Sequence, residues 1–421
     1  MTTLSRSLLV AALLTAPAGR AAAQQPLTLS EALREARLHN ATLPVAAYDT
    51  AVAAADARAA AGRLGPTLGL DGDLHEGAPA DYASGDARLQ LVGTLPIYDG
   101  GLLRAQLGQA RARRAVSAAQ YRVARRDLDY QVRVAFSQAV ELQDEIALGE
   151  QGLERLNRYL ELIAARRESG QPVVGDLLKA QVQLDGQAAD TAETHRQLAA
   201  VMLVLKELLG RLPQDTLALA PLAAPAAPPA TPGEPWMSVP DLAAAEAARQ
   251  GAQLGIAAVR ADRRPHVDLM ADVGAEPVIG SSFAAPFNTG RSAGVEMLLG
   301  VSLPLWDHGV YSNRLEAARL AFEQSTQAAL AARRQVRSQW YQARADLLHL
   351  YEVMRLRAAT VPAAQDAYLQ SESLYRGGSG SALEVLDAYT TWIQSGLGAA
   401  RARLAYRIAE ARARRWGGEG S

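Results

Sequence analysis

The sequence predicts a mainly α-helical chain with a small β part, built as two tandem copies of one structural unit. Three observations carry this. The segment L-P-I-Y-D-G-G at 95–101 returns as L-P-L-W-D-H-G at 303–309, so that Asp99 and Asp307 lie 208 residues apart. The same offset carries Leu107, Ala110 and Arg111 onto Leu315, Ala318 and Arg319, and Gly170, Asp176 and Leu178 onto Gly378, Glu384 and Leu386. A period this long belongs to a large module rather than to a short-repeat solenoid. Second, no proline interrupts the stretch between Gly101 and Gly170, which as α-helix would reach about 100 Å. Third, each copy holds two segments in which apolar and polar residues alternate, the period of a strand.

Residues 1–23 read as a secretory signal, with Arg6 before the apolar run 8–14 and small residues 21–23 at the cleavage site. The run is too short to span a bilayer as a helix. The first repeat occupies 24–218. It opens with a short helix at 28–40, capped by Thr28 or Ser30, and continues as a helix over 41–64 that stops at Gly65-Pro66. Strands follow at 67–75, where Leu68, Leu70 and Leu74 alternate with Gly69, Asp71 and Asp73, and at 88–97, where Leu89, Leu91 and Leu95 face one way. The segments between the paired strands, 76–86 and 274–293, read as surface loops.

The long helix spans 101–168. Its apolar line runs Leu128, Val132, Ala135, Ala139, Leu142, Ile146, Gly149, Leu153, Leu156, Leu160 and Ile163, in steps of four and three that imply a left-handed coiled coil. A glycine-bearing turn at Gly170 precedes a return helix at 176–210. The segment 219–237 is a proline-rich linker that cannot be helix.

The second repeat, 238–416, has a helix over 242–264, strands at 266–273 and 295–305, a long helix at 309–376 and a return helix at 383–416. Residues 417–421 form a tail. Pro362 should bend or loosen the second long helix, and nothing before Leu242 matches the short helix at 28–40. In each copy a shorter helix before the strands and the return helix after them could stack end to end beside one long helix. Four strands cannot close a barrel, for which eight is about the minimum. Strands seated in a membrane would oblige several chains to pool them.

Composition narrows the function. The chain has 421 residues, 49% hydrophobic, with a formal net charge of −1, which argues against nucleic acid as a partner. It has no cysteine, so disulfides, thiolate catalysis and cysteine-bound metal are excluded. The six histidines show no metal-ligand spacing, and no nucleophile–base motif, P-loop or dinucleotide fingerprint appears. No enzyme activity and no cofactor are expected. His266 and Asp268 share one strand face and would line a pore if the apolar residues face lipid. Tyr98 and Trp306, at strand ends, suit either a membrane interface or ordinary corner packing.

At this point the chain resembles the TolC family of outer-membrane efflux proteins. The resemblance rests on T-L-S-E-A-L at 28–33, the two junction motifs at 95–101 and 303–309, and the tip motifs G-Q-P-V-V-G-D-L-L-K-A-Q at 170–181 and G-S-G-S-A-L-E-V-L-D-A at 378–388. It implies a homotrimer whose twelve strands form one outer-membrane barrel, continued across the periplasm by a hollow barrel of helices. It further implies a passive exit duct that meets a periplasmic adaptor and an inner-membrane transporter at the helical tips. The junction residues Pro96, Asp99, Gly101, Pro304, Asp307 and Gly309 are read as structural, with the aspartates capping the long helices. By the same resemblance a periplasmic gate would involve Asp176 and Tyr375. The family's arginine position is held by Gly380, leaving Arg376, or Arg166 and Arg167, to substitute. Glu384 takes the place of Asp176 in the second copy, and Gly170 and Gly378 form the tip turns. The competing reading, a soluble periplasmic coiled-coil adaptor, accounts for the signal and the heptads but not for four alternating strands repeated in register.

Overall fold

The structure is a computed structural model that describes residues 26–77, 84–168, 174–229, 233–280 and 291–417. The expected signal segment, the Gly170 turn and the tail beyond Gly417 lie outside the described residues. The element order is α1 (Leu29–His39), α2 (Thr42–Gly62), β1 (Thr67–Gly77), β2 (Ser84–Tyr98), α3 (Leu102–Glu168) and α4 (Val174–Leu209), then a 3₁₀ turn (Pro235–Ser238). The second copy continues with α5 (Pro240–Asp262), β3 (His266–Gly280), β4 (Arg291–Ser302), α6 (Val310–Arg376) and α7 (Ala382–Gly417). None of the described helices is long and apolar enough to cross a membrane.

The strands run past the expected loops, with β1 reaching Gly77, β2 starting at Ser84, β3 reaching Gly280 and β4 starting at Arg291. Backbone pairing continues where the side-chain alternation has faded into Gly, Ala and Pro, so the pattern under-reads the ladder. At its other end β4 stops at Ser302 rather than 305, whereas β2 carries the equivalent Pro96 within its ladder. The linker also departs from expectation. Pro235–Ser238 forms a 3₁₀ turn that buries Trp236, proline being acceptable at a helix start. This single turn stands where the first copy has the eleven-residue α1.

The two long helices are 67 residues each, about 100 Å at 1.5 Å per residue. α6 runs through Pro362 as one helix. Pro362 and Ala358 are both exposed, so the Ala358 carbonyl left without its helical partner faces water. Both α2 and α4 pack along α3, and α5 and α7 each bridge α3 to α6. Of the seam predicted on α3, Leu128, Val132, Ala135, Ala139, Ile146, Gly149, Leu156 and Ile163 are buried and Leu142, Leu153 and Leu160 half-buried, while Phe136, Val140, Gly152 and Tyr159 widen the buried face beyond it.

α1 is secured by a capping box, in which the Glu31 N–H donates to Thr28 Oγ1 and the Thr28 N–H to Glu31 Oε2. It is tied sideways by Arg37 to Asp129 on α3 and by Arg211, after α4, to Glu35. The linker runs beside the residues that lead into α1, with Leu27 and Leu219 paired as a parallel bridge. Tyr406 and Arg407 of α7 hold it by donating to the carbonyls of Ala226 and Ala223.

Candidate functional site

All four strands join one antiparallel sheet in the order β1-β2-β3-β4, so the central β2–β3 pair joins the two copies. The register aligns Leu70, Leu91, Val273 and Val295 in one row across the sheet, and Leu68, Gly93, Ala271 and Met297 in another. Side chains two apart share a face, so these rows place Leu269, Leu299, Val267 and Val301 on the same side. That side is bare in the single chain: Leu70 is 66% exposed, Val295 74% and Val301 68%. The opposite face carries Asp71, Gln90, Thr94, His266, Asp268, Asp272 and Glu296, with Met270 and Leu298 among them. An apolar face backed by an acidic, polar one is the pattern of a barrel with lipid outside and water within.

β1 and β4 each have a free edge. Unpaired strand edges are not tolerated in lipid, where each backbone group must find a partner inside the protein. The helices also leave apolar side chains uncovered in the single chain. Val45, Tyr48 and Val52 of α2 with Val182, Leu203 and Val204 of α4 are exposed on one side, and Leu320, Tyr341, Leu348 and Leu356 of α6 are exposed elsewhere.

At each strand-to-helix junction an aspartate caps the long helix. Asp99 accepts from the N–H groups of Gly101 and Leu103, and Asp307 from those of Gly309 and Tyr311. Pro96 and Pro304 precede these caps, and a register shift at Pro96–Tyr98 re-aims β2 into the turn. The turn needs two positive φ angles in each copy: Gly100 at 65° and Gly101 at 93°, His308 at 52° and Gly309 at 83°. Gly100 is additionally hemmed in, since a Cβ there would lie 2.5 Å from Arg264 Cβ. Gly100→Ala is therefore expected to destabilise by more than the about 1–2 kcal/mol of the left-handed backbone alone. His308→Gly should be neutral or stabilising by up to about 1 kcal/mol. Thermal dissociation of the two purified variants checks both signs.

Among the described tip residues, Tyr375, Arg166 and Asp176 gather around Tyr159, whereas Arg376 and Glu384 are engaged by their own helices. Tyr375 is buried, its ring edge-on to Tyr159 at 5.2 Å and beneath the Arg166 guanidinium at 4.2 Å, and Arg166 also donates to the Tyr375 carbonyl. Asp176 sits in the first turn of α4, close enough to Tyr159 to raise its pKa, although burial is the main cause and Tyr375 adds to it. Arg376 turns away to Glu372, one helical turn back. Glu384 closes a capping box with Ser381 at the start of α7; its carboxylate serves the helix end. Gly378 takes a φ of +86° that favours glycine. Around Tyr375 the tip core is aromatic: Tyr368 stacks on Trp392 at 5.4 Å, and burial pushes the Tyr368 hydroxyl up to about 12.

The sequence reading missed one site. Glu141 of α3, 2% exposed, accepts from Arg403 of α7 through both carboxylate oxygens at 2.9 Å, with Arg407 at 3.6 Å. Arg403 also reaches Asp144 at 2.9 Å. A lone glutamate and two arginines 262 or more residues away carry no motif, so only the coiled-coil register could have pointed to them.

With this geometry in hand, comparison with known proteins is decisive. The model of the outer membrane efflux protein family matches residues 32–211 and 237–419, one match for each copy. The chain belongs to the outer membrane efflux protein family. Among curated proteins it is 26% identical over 268 residues to the pyoverdine export outer membrane protein OpmQ of Pseudomonas putida. That match covers 62% of this chain and spans about half (55%) of that relative's length. The fold recurs in the CusC channel structure, with a TM-score of 0.83, 19% identity, and coverage of 93% of this chain and 92% of that one. It recurs in VceC of Vibrio cholerae, with a TM-score of 0.80, 18% identity and 93% and 96% coverage. The open-state MtrE channel of Neisseria gonorrhoeae gives 0.82, 21% identity and 93% and 89% coverage.

Proposed function

We propose that three copies of this chain form the outer-membrane exit duct of a tripartite exporter. The observation that carries the reading is the unfinished sheet: an apolar outer face, a polar inner face and two free edges. Three such sheets joined edge to edge supply the twelve strands of a closed barrel. The same operation brings the exposed α6 flank of one copy against the α2 and α4 flank of the next. The helices then continue the barrel as a tunnel about 100 Å long, open to cargo delivered by an inner-membrane transporter through a periplasmic adaptor at the tips. The chain reaches the outer membrane through the signal at 1–23. It performs no chemistry and passes its cargo passively; the likeness to a pyoverdine exporter favours small molecules.

At the tips, Tyr375 with Arg166, and Asp176 beside Tyr159, hold the aperture, and the Arg166 contact takes over the part that Gly380 cannot play. The absence of cysteine provides the test. Cysteines introduced singly along β1 and β4, such as Leu68→Cys with Met297→Cys, should form intermolecular disulfides and give a three-chain ladder on non-reducing gels. Monomers for every pair along the two edges would refute the pooled barrel.

A further inference from the structure

The repeat fixes how one chain of the trimer meets the next. α3 and α6 begin and end 208 residues apart, and so do α4 and α7. Inside the chain α7 lies on α3 and so joins the two repeats, while α6 packs on α5 and α7 of its own repeat. In the trimer the open flank of α6 receives α4 of the next chain. Each contact of α7 with α3 then has a counterpart between α6 and that α4, at residues shifted by 208. The apolar side chains agree with this. Leu148 of α3 packs against Gly396 of α7, where an added Cβ would lie 2.5 Å from the leucine. The counterparts, Leu356 and Ala188, are both exposed in the single chain, Leu356 by 61%.

One of these contacts changes its chemistry. Arg403 of α7 is held by Glu141 and Asp144 of α3, each at 2.9 Å. The counterparts are His349 and Glu352 on α6, and His195 on α4 of the next chain. His349 and Glu352 lie three apart on one helix and share a face, and all three side chains are exposed in the single chain. An imidazole nitrogen reaches about as far from the backbone as a carboxylate oxygen or an arginine Nε. Two histidines in these places therefore meet across the boundary with room for one ion between them. Ala199 stands where the inner pair has Arg407. Arg355 and Arg196 are each tied to a glutamate three residues away on their own helix, exposed pairs of little strength. A second carboxylate, Glu150 of α3, stands 3.8 Å from His195 Nε2.

We propose that each boundary between chains binds one divalent transition-metal ion of the zinc class. His349 and Glu352 of one chain and His195 of the next ligate it, with water in the fourth place. Two histidines, a glutamate and a water are an established tetrahedral zinc set. Glu150 orients the His195 ring through the nitrogen turned away from the ion, as carboxylates do behind metal-bound imidazoles. The site rests on the three-chain reading and is incomplete without it: among the described residues no group of metal-binding side chains forms within one chain. Zinc fastens α6 to the next α4 as Arg403 fastens α7 to α3.

Zinc binding to the full-length trimer in detergent tests it, counted by equilibrium dialysis after stripping with a chelator. One ion per chain is expected, and the trimer should dissociate at a higher temperature with zinc than without. His349→Gln and His195→Gln should each lose both the ion and the thermal gain while still forming trimers, since these side chains are exposed. Glu150→Ala should weaken zinc binding about 10–100-fold. Mixed trimers of the two histidine variants, co-expressed and isolated through two unlike tags free of histidine, should regain a single ion, because one boundary in each then carries both histidines. Trimers that bind no zinc, or that bind it equally in the histidine variants, would overturn the site and leave the duct standing. Mixed trimers without zinc would equally overturn it, since the ligands would then not come from two chains. A protein that forms no trimer would sink the duct reading itself and the site with it.

Discussion

Arginine in place of Leu91 is expected to abolish the assembled channel, whereas arginine in place of Gln90, one residue earlier, is expected to leave it intact. Leu91 lies on a central strand in the row Leu70–Leu91–Val273–Val295. On the lipid face, arginine at mid-bilayer depth costs about 2–4 kcal/mol per chain, and three-fold repetition multiplies this to roughly 6–12 kcal/mol for the trimer. Gln90 belongs to the row Asp71–Gln90–Gly274 on the opposite face, where a cation meets water and carboxylates. The recovery of heat-dissociable trimer from outer membranes reports the difference. Equal loss for both variants, or loss only for Gln90→Arg, would show that the faces are assigned the wrong way round.

The second large effect is expected far from the membrane. Glu141→Ala leaves Arg403 without its buried partner and Arg407, whose pKa burial already lowers, without its nearest carboxylate. Breaking one side of a buried ion pair costs about 3–5 kcal/mol, because the remaining charge stays desolvated. Replacing both partners together, Glu141→Met with Arg403→Met, should cost less than the single alanine, since Arg407 alone then remains without its carboxylate. Unfolding of the three proteins in denaturant, compared at their midpoints, measures this. A double variant as unstable as the single one would mean that the pair contributes net stability rather than register between α3 and α7.

Much of this architecture was legible in the sequence, and the reasons are particular. The heptad from Leu128 to Ile163 named most of the buried face of α3, because a coiled coil repeats its contacts at a fixed period, but not Phe136, Val140 or Tyr159 beside it. Asp99 and Asp307 could be read as caps because the bonds they make are local, reaching two and four residues ahead. Strand ends were under-read because glycine, alanine and proline carry no alternation, although their backbone pairs as well as any other. Glu384 was placed at the tip by its position in the repeat, while the local S-x-x-E box that claims its carboxylate was overlooked. Glu141 with Arg403 and Arg166 with Tyr375 join helices separated by hundreds of residues, and no spacing rule reaches that far.

The central claim is that three chains pool their strands and helices into one duct. Single-particle electron microscopy of the protein extracted in mild detergent tests it most directly. The account predicts a three-fold rod in which a short detergent-covered cap of twelve strands continues into a helical tunnel about 100 Å long. A water-soluble particle without that cap, or a monomer with both sheet edges free, would contradict it and return the chain to the coiled-coil adaptor reading.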